Sequence, residues 1–334
     1  MNKVSRANIT YHYHCSSSMA RILANDGVHQ QCRRKLESSG DVVVENKFSH
    51  EELLGGLAKE FDCIIVRSAT NLTEEVIQAN TGDGSKLKLL IRAGVGLDNI
   101  DTTFAESVGL IVRNTPNAST NSVVEMTISH LLCGSRKIVA ANLDMKEGKW
   151  TKKKLMGSEL RGKNLGLIGY GRIARGVARI ASTLGMNPHA YDPFVDPKLL
   201  NEDGVVYHDT VESLFSNCTH ISVHCSKTKE TESLVNKDLI SLMPHRSPSG
   251  IECGRHVVNC ARGGIINEHD MLELLESGFL SSLGLDVFEN EPQGNLALSQ
   301  HRNVTSTPHT GASTMEAQRR IGDEIVAIIE STLR

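Results

Sequence analysis

Three polar residues in the second half of the chain, Arg262, Glu291 and His309, have the side chains needed for acid–base chemistry on a small acid. Histidine is well suited to exchange a proton near neutral pH, and a neighbouring carboxylate fixes its tautomer and stabilises the imidazolium. Arginine binds a carboxylate through two parallel hydrogen bonds and polarises a carbonyl. Singly, each residue is also compatible with a structural role in a loop or at a helix end. The prediction therefore depends on all three.

A glycine-rich turn, Gly169-Tyr170-Gly171-Arg172-Ile173-Ala174, follows an apolar run and precedes a helical pattern. Strand, turn and helix together predict the first βα turn of a dinucleotide-binding unit, in which Gly171 lets the backbone approach a pyrophosphate. Asp192 follows at about the 20-residue offset of the carboxylate that binds the adenosine ribose. No arginine comes directly after it, so the sequence favours NAD over NADP. The alternative is a glycine turn in another kind of α/β unit.

With a nicotinamide cofactor bound nearby, the three polar residues could catalyse oxidation of an alcohol. Oxidation of a secondary alcohol by NAD requires a base that takes the hydroxyl proton, and His309 suits this role. Arg262 would bind the carboxylate of a 2-hydroxy acid and polarise the developing carbonyl, with Glu291 beside the histidine.

Strands alternate with helices along almost the whole chain, which predicts parallel sheets. The fold class is α/β, with two doubly wound parallel-sheet domains and a cleft between them. We expect a flavodoxin-like substrate domain (20–115 plus 314–334), into which a Rossmann NAD domain (116–313) is inserted. One long helix is predicted from Ser122 towards Met145, opened by a capping box of Ser122 and Glu125. A second capping box, Ser313 with Glu316, is predicted to open the last helix, and a third is formed by Ser49 and Glu52.

Composition excludes several classes of protein. The 334 residues carry a net charge of −3, which indicates neither a nucleic-acid nor a membrane partner. The eight cysteines lack zinc-ligand spacing, so we expect reduced thiols, a cytoplasmic location and no metal. Residues 1–19 are Ser-rich and contain no acid; a flexible extension is favoured over a transit peptide.

The chain resembles the D-isomer-specific 2-hydroxyacid dehydrogenases from about Ala20 to Arg334. Beyond the glycine turn, the resemblance rests on segments whose order and spacing match the family. They are Val66–Thr70, Arg92–Asn99, Asn114–Asn117, Val258–Gly264, Leu285–Phe288 with Glu291-Pro292, and Pro308–Thr314.

The resemblance implies roles for individual residues. Arg262 would bind and polarise the substrate, His309 would be the acid/base with Glu291 as its partner, and Asp286 would contact the nicotinamide carboxamide. The expected cofactor-binding residues are Gly169, Gly171, Arg172, Ile173, Asp192, His224, Cys260, Ala261, Asp286 and Gly311.

The substrate is expected to be a phosphorylated 2-hydroxy acid. Within the family, the chain is most similar to members that oxidise D-3-phosphoglycerate in serine biosynthesis. A phosphate needs several cations, and Arg67, Ser68 and Arg92 follow adjacent predicted strands. Lys152 in the run Lys152–Lys154 is a further candidate, although a solvated lysine surface is the simpler interpretation. The other expected substrate-binding residues are Gly94, Val95, Gly96 and Asn99, of which the Gly94–Gly96 backbone would hold the carboxylate.

Two other functions remain open. A glyoxylate or hydroxypyruvate reductase would share Arg262, Glu291 and His309 but would need no phosphate-binding arginines. An NAD-sensing binding protein of the corepressor type would share this fold, and fold alone does not define function. It is less favoured because the segments that match the dehydrogenase family are nearly complete. We expect a homodimer through the NAD domain, or a homotetramer. Larger relatives carry a C-terminal domain that binds serine, and we expect neither that domain nor serine feedback here.

Overall fold

The computed structural model describes residues 19–334, so almost all of the extension expected at residues 1–19 lies outside the described residues. The chain forms two compact units: the first contains residues up to Thr115 together with Ile321–Arg334, and the second contains Pro116–Arg320. Within residues 19–334, no helix combines the length and apolarity needed to cross a bilayer.

The first unit contains a five-stranded sheet whose strands are all parallel, in the order β2-β1-β3-β4-β5. This is the flavodoxin-like order of a doubly wound sheet. All four residues of the central strand β3 are buried, as expected for a parallel sheet covered on both faces. The strands are β1 Arg21–Ala24, β2 Val42–Val44, β3 Cys63–Val66, β4 Leu89–Arg92 and β5 Ile111–Asn114.

Four short helices connect these strands. Each is preceded by a capping residue whose side chain accepts a hydrogen bond from a backbone N–H group of the first helical turn. Ser49 and Glu52 form the expected capping box. The C-terminal residues join the same unit through a salt bridge of 2.6 Å from Arg334 to the buried Asp41. The helices are α1 Gln30–Ser38, α2 His50–Leu54, α3 Glu74–Ala79 and α4 Thr102–Ser107.

The second unit contains a seven-stranded parallel sheet in the order β12-β11-β10-β9-β6-β7-β8. Its first strand, β6, lies inside the sheet, and the chain winds outwards from it in both directions. This is the Rossmann order extended by one strand, with the switch point between β6 and β9. The strands are β6 Asn164–Ile168, β7 Asn187–Tyr191, β8 Val206–Tyr207, β9 His220–Val223, β10 His256–Asn259, β11 Ser282–Leu285 and β12 Val304–Ser306.

Nine helices belong wholly or partly to this unit, and α5 packs against both α7 and the sheet. A 3-10 turn, Lys152–Lys154, follows α6. The helices are α5 Thr120–Arg136, α6 Ile138–Lys146, α7 Arg172–Thr183, α8 Pro197–Glu202, α9 Val211–Asn217, α10 Lys237–Leu242, α11 Glu268–Glu276, α12 Leu296–Gln300 and α13 Met315–Leu333.

The expected long helix from Ser122 to Met145 is wrong in two respects. The N-cap is Ser119, three residues before the predicted cap, and the helix begins at Thr120. Ser122 is buried within it, where its hydroxyl lies 2.7 Å from that of Thr314. The chain then breaks at Lys137, which has a φ of 51° and separates α5 from α6. The capping motif was therefore present in the sequence but not at the helix start.

The second expected capping box is wrong by one residue. The hydroxyl of Thr314, not that of Ser313, accepts from the backbone N–H of Ala317 at 3.1 Å, and α13 begins directly afterwards. The second unit ends inside this helix, at Arg320, whereas we expected the return to the first unit at residue 314.

Candidate active site

The side chains of Glu291 and His309 are in direct contact in the second unit. His309 Nδ1 lies 2.7 Å from Glu291 Oε2, and each side chain is 36% exposed. Both residues follow strands of the same sheet, β11 and β12, which are adjacent and parallel. The carboxyl ends of parallel strands meet at one edge, so two distant segments of sequence are brought together there.

Glu291 is fixed from its other side by its own loop. The backbone N–H of Phe288 donates to Glu291 Oε1 at 3.1 Å. Burial acts to raise the pKa of Glu291, but the hydrogen bond from His309, the charges of His309 and Arg262, and the Phe288 N–H outweigh it. The pKa of Glu291 is therefore below its ordinary value. A charged carboxylate beside the imidazole is the form that stabilises an imidazolium.

Arg262 belongs to the same edge of the sheet, in the loop after β10. The side chain of Asn259 closes this loop: its Nδ2 donates to the Arg262 carbonyl at 2.8 Å, and its Oδ1 accepts from the Ala261 N–H at 2.9 Å. A Cβ atom on Gly263 would lie 1.8 Å from the carbonyl oxygen of Phe288. Only glycine allows these two loops to approach so closely, and this approach positions Arg262 beside the Glu291 loop.

The glycine turn has the form expected for a pyrophosphate site. Gly169 has a φ of +86°, and its Cβ position faces the carbonyl of His224 at 3.1 Å, so the turn lies at the switch point between β6 and β9. Gly171 has open space at its Cβ position and occupies the N-cap of α7 without a side-chain cap. The N–H groups of Arg172 and Ile173 in the first helical turn are therefore available to an anion. These residues fit a dinucleotide, which would supply a hydride acceptor to this unit.

Asp192 stands directly beside this turn. Its Oδ2 accepts from the N–H of Tyr170 at 2.7 Å and its Oδ1 from that of Phe194 at 2.9 Å, which leaves lone pairs for ribose hydroxyls. The ring of Tyr170 is buried, and its hydroxyl donates to Asp203 at 2.9 Å, as does Arg175. This anchoring of the glycine turn is not predictable from the sequence, because Tyr170 occupies a variable position of the motif and Asp203 belongs to no recognisable pattern.

Four other expected cofactor residues also lie at this edge of the sheet. His224 directly follows β9, with Nε2 at 2.9 Å from the Ser222 hydroxyl, and burial lowers its pKa to about 3. Cys260 is buried, and burial raises its pKa to about 12, while Ala261 is half-buried in the Asn259 turn. Gly311 donates its N–H to the carboxylate of Asp286.

Asp286 was expected to contact the nicotinamide carboxamide, which stays a prediction. Its side chain is only 2% exposed, and both oxygens accept from the loop that carries His309. In this structure the carboxylate organises that loop.

The first unit brings Arg67 and Arg92 to neighbouring positions. Val66, the residue before Arg67, pairs with Arg92 across the parallel strands β3 and β4. The Arg67 loop is held from two sides: Asp26 Oδ2 accepts from its backbone N–H at 2.7 Å, and Asn99 Nδ2 donates to its carbonyl at 2.6 Å. Asn99 also donates to the Thr70 carbonyl at 2.6 Å. The amide nitrogen of Asn99 therefore fixes this loop, and the expected contact of Asn99 with substrate stays a prediction.

The Arg92 side chain folds over the glycine loop that follows it. A Cβ atom on Gly94 would lie 1.8 Å from Arg92 Nη1, so glycine at this position leaves room for the guanidinium. The carbonyl of Val95 accepts from the side chain of Asn114. Ser68 is exposed and Gly96 half-buried, which leaves both available to a ligand. Lys152 begins the exposed 3-10 turn of the second unit, and so belongs to a different unit from Arg67 and Arg92.

A glycine turn at the switch point, a carboxylate after the next strand and an adjacent imidazole–carboxylate pair define a Rossmann-type dinucleotide-binding protein with an acid–base site. The NAD-binding domain of the D-isomer-specific 2-hydroxyacid dehydrogenases matches residues 128–311. The chain is 41% identical over 312 residues to D-3-phosphoglycerate dehydrogenase from Rattus norvegicus, which covers 92% of this chain and 56% of that protein. It is 40% identical over 309 residues to hydroxypyruvate reductase from Thermotoga maritima, covering 92% and 96%. The fold matches the crystal structure of a glyoxylate reductase from Paecilomyes thermophila with a TM-score of 0.84 and 28% identity, covering 95% and 96%.

The chain belongs to the D-isomer-specific 2-hydroxyacid dehydrogenase family. Its second unit includes the NAD-binding domain of that family, as the glycine turn and Asp192 predict. The chain spans little more than half the length of the D-3-phosphoglycerate dehydrogenases that it matches.

Proposed function

We propose that the chain oxidises D-3-phosphoglycerate to 3-phosphohydroxypyruvate with NAD, the first step of the phosphorylated route to serine. The observation that carries the substrate is the pair Arg67 and Arg92, which end adjacent parallel strands with one residue of offset. Two guanidinium groups at one edge of a sheet suit a doubly charged phosphate, because each forms charge-assisted hydrogen bonds with its oxygens. The relatives named D-3-phosphoglycerate dehydrogenase support the same substrate.

His309 takes the hydroxyl proton through Nε2. Its Nδ1 contacts the carboxylate of Glu291 and therefore carries the ring proton, which leaves the Nε2 lone pair as the base. Glu291 stabilises the imidazolium that forms, and Arg262 binds the substrate carboxylate and polarises the new carbonyl. Bound NAD supplies the hydride acceptor, held by the Gly171 turn and by Asp192.

A reductase of hydroxypyruvate or glyoxylate is the second candidate. It is favoured by the relative from Thermotoga maritima, which this chain covers almost completely, and by the glyoxylate reductase fold match. Such an enzyme would use the same Arg262, Glu291 and His309 but gain nothing from Arg67 and Arg92.

Steady-state assays with 3-phosphoglycerate, glycerate and glyoxylate, each with NAD(H) and NADP(H), separate the two functions. Arg67→Ala and Arg92→Ala should each raise KM for 3-phosphoglycerate about 10- to 100-fold, because a charge-assisted hydrogen bond contributes about 1.5–3 kcal/mol. Arg113→Ala, in the exposed part of β5 of the same sheet, is the matched control and should leave KM unchanged. Equal turnover of phosphorylated and unphosphorylated substrates would exclude the phosphate site.

The acid–base assignment has its own test. His309→Ala should lower kcat by about 10²- to 10⁴-fold, the usual contribution of general acid–base catalysis, while NAD binding measured by calorimetry is retained. A near-normal kcat would mean that another group is the base.

We also infer a homodimer formed through the second unit. Large apolar side chains are exposed on and after α6: Ile138, Leu143, Met145, Trp150 and Met156. Trp150 and Met156 are 80% and 81% exposed, and such patches commonly mark association surfaces. Sedimentation velocity should show a dimer that Trp150→Glu converts to monomer. A monomeric parent protein would refute the proposal.

A further inference from the structure

A chain of polar side chains connects helix α5 to the loop that carries His309. His130, on α5, is 5% exposed, and its two ring nitrogens each meet a threonine. His130 Nδ1 lies 2.7 Å from the hydroxyl of Thr305, and His130 Nε2 lies 3.3 Å from that of Thr307. The Thr307 hydroxyl in turn donates to Asp286 Oδ1 at 2.6 Å. All of these residues belong to the second unit.

The direction of each hydrogen bond follows from the number of protons. A threonine hydroxyl has one proton, and Thr307 donates it to the carboxylate of Asp286. Thr307 must therefore accept from His130, which places a proton on Nε2. His130 Nδ1 then carries a lone pair and accepts from Thr305. Burial lowers the pKa of His130, which keeps the ring neutral and in this single tautomer.

Asp286 connects these hydrogen bonds to the backbone around His309. Its Oδ1 accepts from the N–H of Thr310 at 2.8 Å and its Oδ2 from that of Gly311 at 2.7 Å. The carbonyl of Asp286 accepts from the N–H of His309 itself at 2.8 Å. His309 has a φ of 52°, a left-handed conformation that costs about 1–3 kcal/mol for a residue other than glycine and persists only when its surroundings hold it.

Two glycines leave room for this arrangement. A Cβ atom on Gly311 would lie 2.8 Å from Asp286 Oδ2, and one on Gly284 would lie 2.7 Å from the Cβ of His130. Real Cβ atoms are essentially never this close to other heavy atoms, so a larger residue at either position would displace the carboxylate or the histidine. Gly284 beside His130 and Gly311 beside Asp286 therefore leave the space that these hydrogen bonds require.

We propose that His130 and Thr307 are positioning residues, which act through Asp286 to hold His309 in the geometry required for proton transfer. Neither needs to touch substrate or cofactor. The inference rests on the proposed role of His309 as the base, since a displaced base slows chemistry more than binding.

The decisive variant is Thr307→Val, which removes the hydroxyl and retains the shape. We expect kcat to fall at least tenfold, with KM for NAD and for the preferred 2-hydroxy acid changed less than twofold. Thr307→Ser should restore most of kcat because it returns the hydroxyl. Thr219→Val is the matched control: Thr219 is also buried, and its hydroxyl lies 2.9 Å from a ring nitrogen of His220 in the same unit, but it has no bond to the His309 loop. The control should leave kcat unchanged.

Hydrogen exchange provides a readout that does not need turnover. Thr307→Val should increase the exchange rate of the Thr310 and Gly311 amides at least tenfold, whereas Thr219→Val should not. Three results would each overturn the proposal: an unchanged kcat in Thr307→Val, an equal loss of kcat in Thr307→Val and Thr219→Val, or a kcat in Thr307→Ser as low as that in Thr307→Val. Retained turnover in His309→Ala would instead refute the proposed base. The exchange rates would still decide whether the hydrogen bonds from His130 through Thr307 to Asp286 hold the His309 loop.

Discussion

Arg67 in the first unit and Arg262 in the second lie in loops at the carboxyl ends of parallel strands. In both loops an asparagine side chain donates to the carbonyl of that arginine, at 2.6 Å from Asn99 and 2.8 Å from Asn259. The origin of the asparagine differs. Asn259 is the last residue of β10, three residues before Arg262, whereas Asn99 comes from a separate loop after β4. One loop is closed locally, and the other is assembled from distant segments.

This difference extends to what surrounds each arginine. The Arg262 loop packs against rigid backbone, because Gly263 meets the Phe288 carbonyl. In the first unit, Gly94 meets the end of a flexible side chain, that of Arg92. We therefore expect the second unit to hold its proposed acid–base residues rigidly, and the first unit to let the Arg92 side chain adjust to a ligand.

Substituting Gly263 and Gly94 by alanine tests the difference between a rigid and an adjustable neighbour, and we expect the largest effect here. Gly263→Ala places a methyl group against backbone, so the two loops must separate, at a cost of about 1–3 kcal/mol. We expect kcat to fall about 100-fold or more and the melting temperature to drop by about 5 °C. Gly94→Ala displaces only the Arg92 guanidinium and should raise KM for the phosphorylated substrate at an unchanged melting temperature. Similar losses of stability in both variants, measured by calorimetry, would remove the contrast.

The same distinction between local and distant contacts separates the features that could be predicted from the sequence from those that could not. The glycine turn, its strand and Asp192 form one local unit, and the Ser49–Glu52 capping box lies within four residues; both are confirmed. The capping boxes at Ser122 and Ser313 failed because the same motif can occur one turn or one residue from a real helix start. The motif specifies a hydrogen-bonding option, and packing decides whether it is used.

Contacts between distant segments could not be predicted. Nothing in the sequence indicates that Asn99 would bind the Arg67 loop, or that His130 would reach Thr307, since both depend on the order of the strands. Family resemblance identifies Asp286 without showing that its carboxylate is buried against the His309 loop.

The polar interiors of the two units also differ, and pH tests this. Among residues 19–115 and 321–334 of the first unit, the buried polar residues are amides, hydroxyls and one carboxylate: Asn25, Asp41, Thr70, Asn80 and Thr115. The second unit buries histidines. Burial lowers the pKa of His189 and of His256 to about 4, and the pKa of His220 also lies well below its ordinary value, again mainly because of burial.

The sign of the pH effect follows from these shifts. The histidines stay neutral in the folded state, whereas the unfolded chain binds protons below about pH 6.5. The free energy of unfolding of the second unit should therefore fall between about pH 6.5 and 4, by up to roughly 1.4 kcal/mol per pH unit for each histidine. Hydrogen exchange at about pH 7 and pH 5, corrected for intrinsic rates, should show protection lost in β7, β9 and β10 but kept in β1, β3 and β4. Equal loss in both sheets would contradict the assignment.

The smallest expected effects come from the two asparagines themselves. Asn99→Ala frees the carbonyls of Arg67 and Thr70. It should raise KM for the phosphorylated substrate about tenfold with kcat nearly unchanged, because each of the two lost hydrogen bonds contributes about 0.5–1.5 kcal/mol. Asn259→Ala opens the Arg262 turn and should lower kcat about tenfold with a smaller change in KM, since the proposed role of Arg262 is to polarise the reacting carbonyl. Each variant is the control for the other, as both remove an asparagine that binds an arginine carbonyl. If both changed the same kinetic constant, binding and chemistry would not be divided between the two arginine loops.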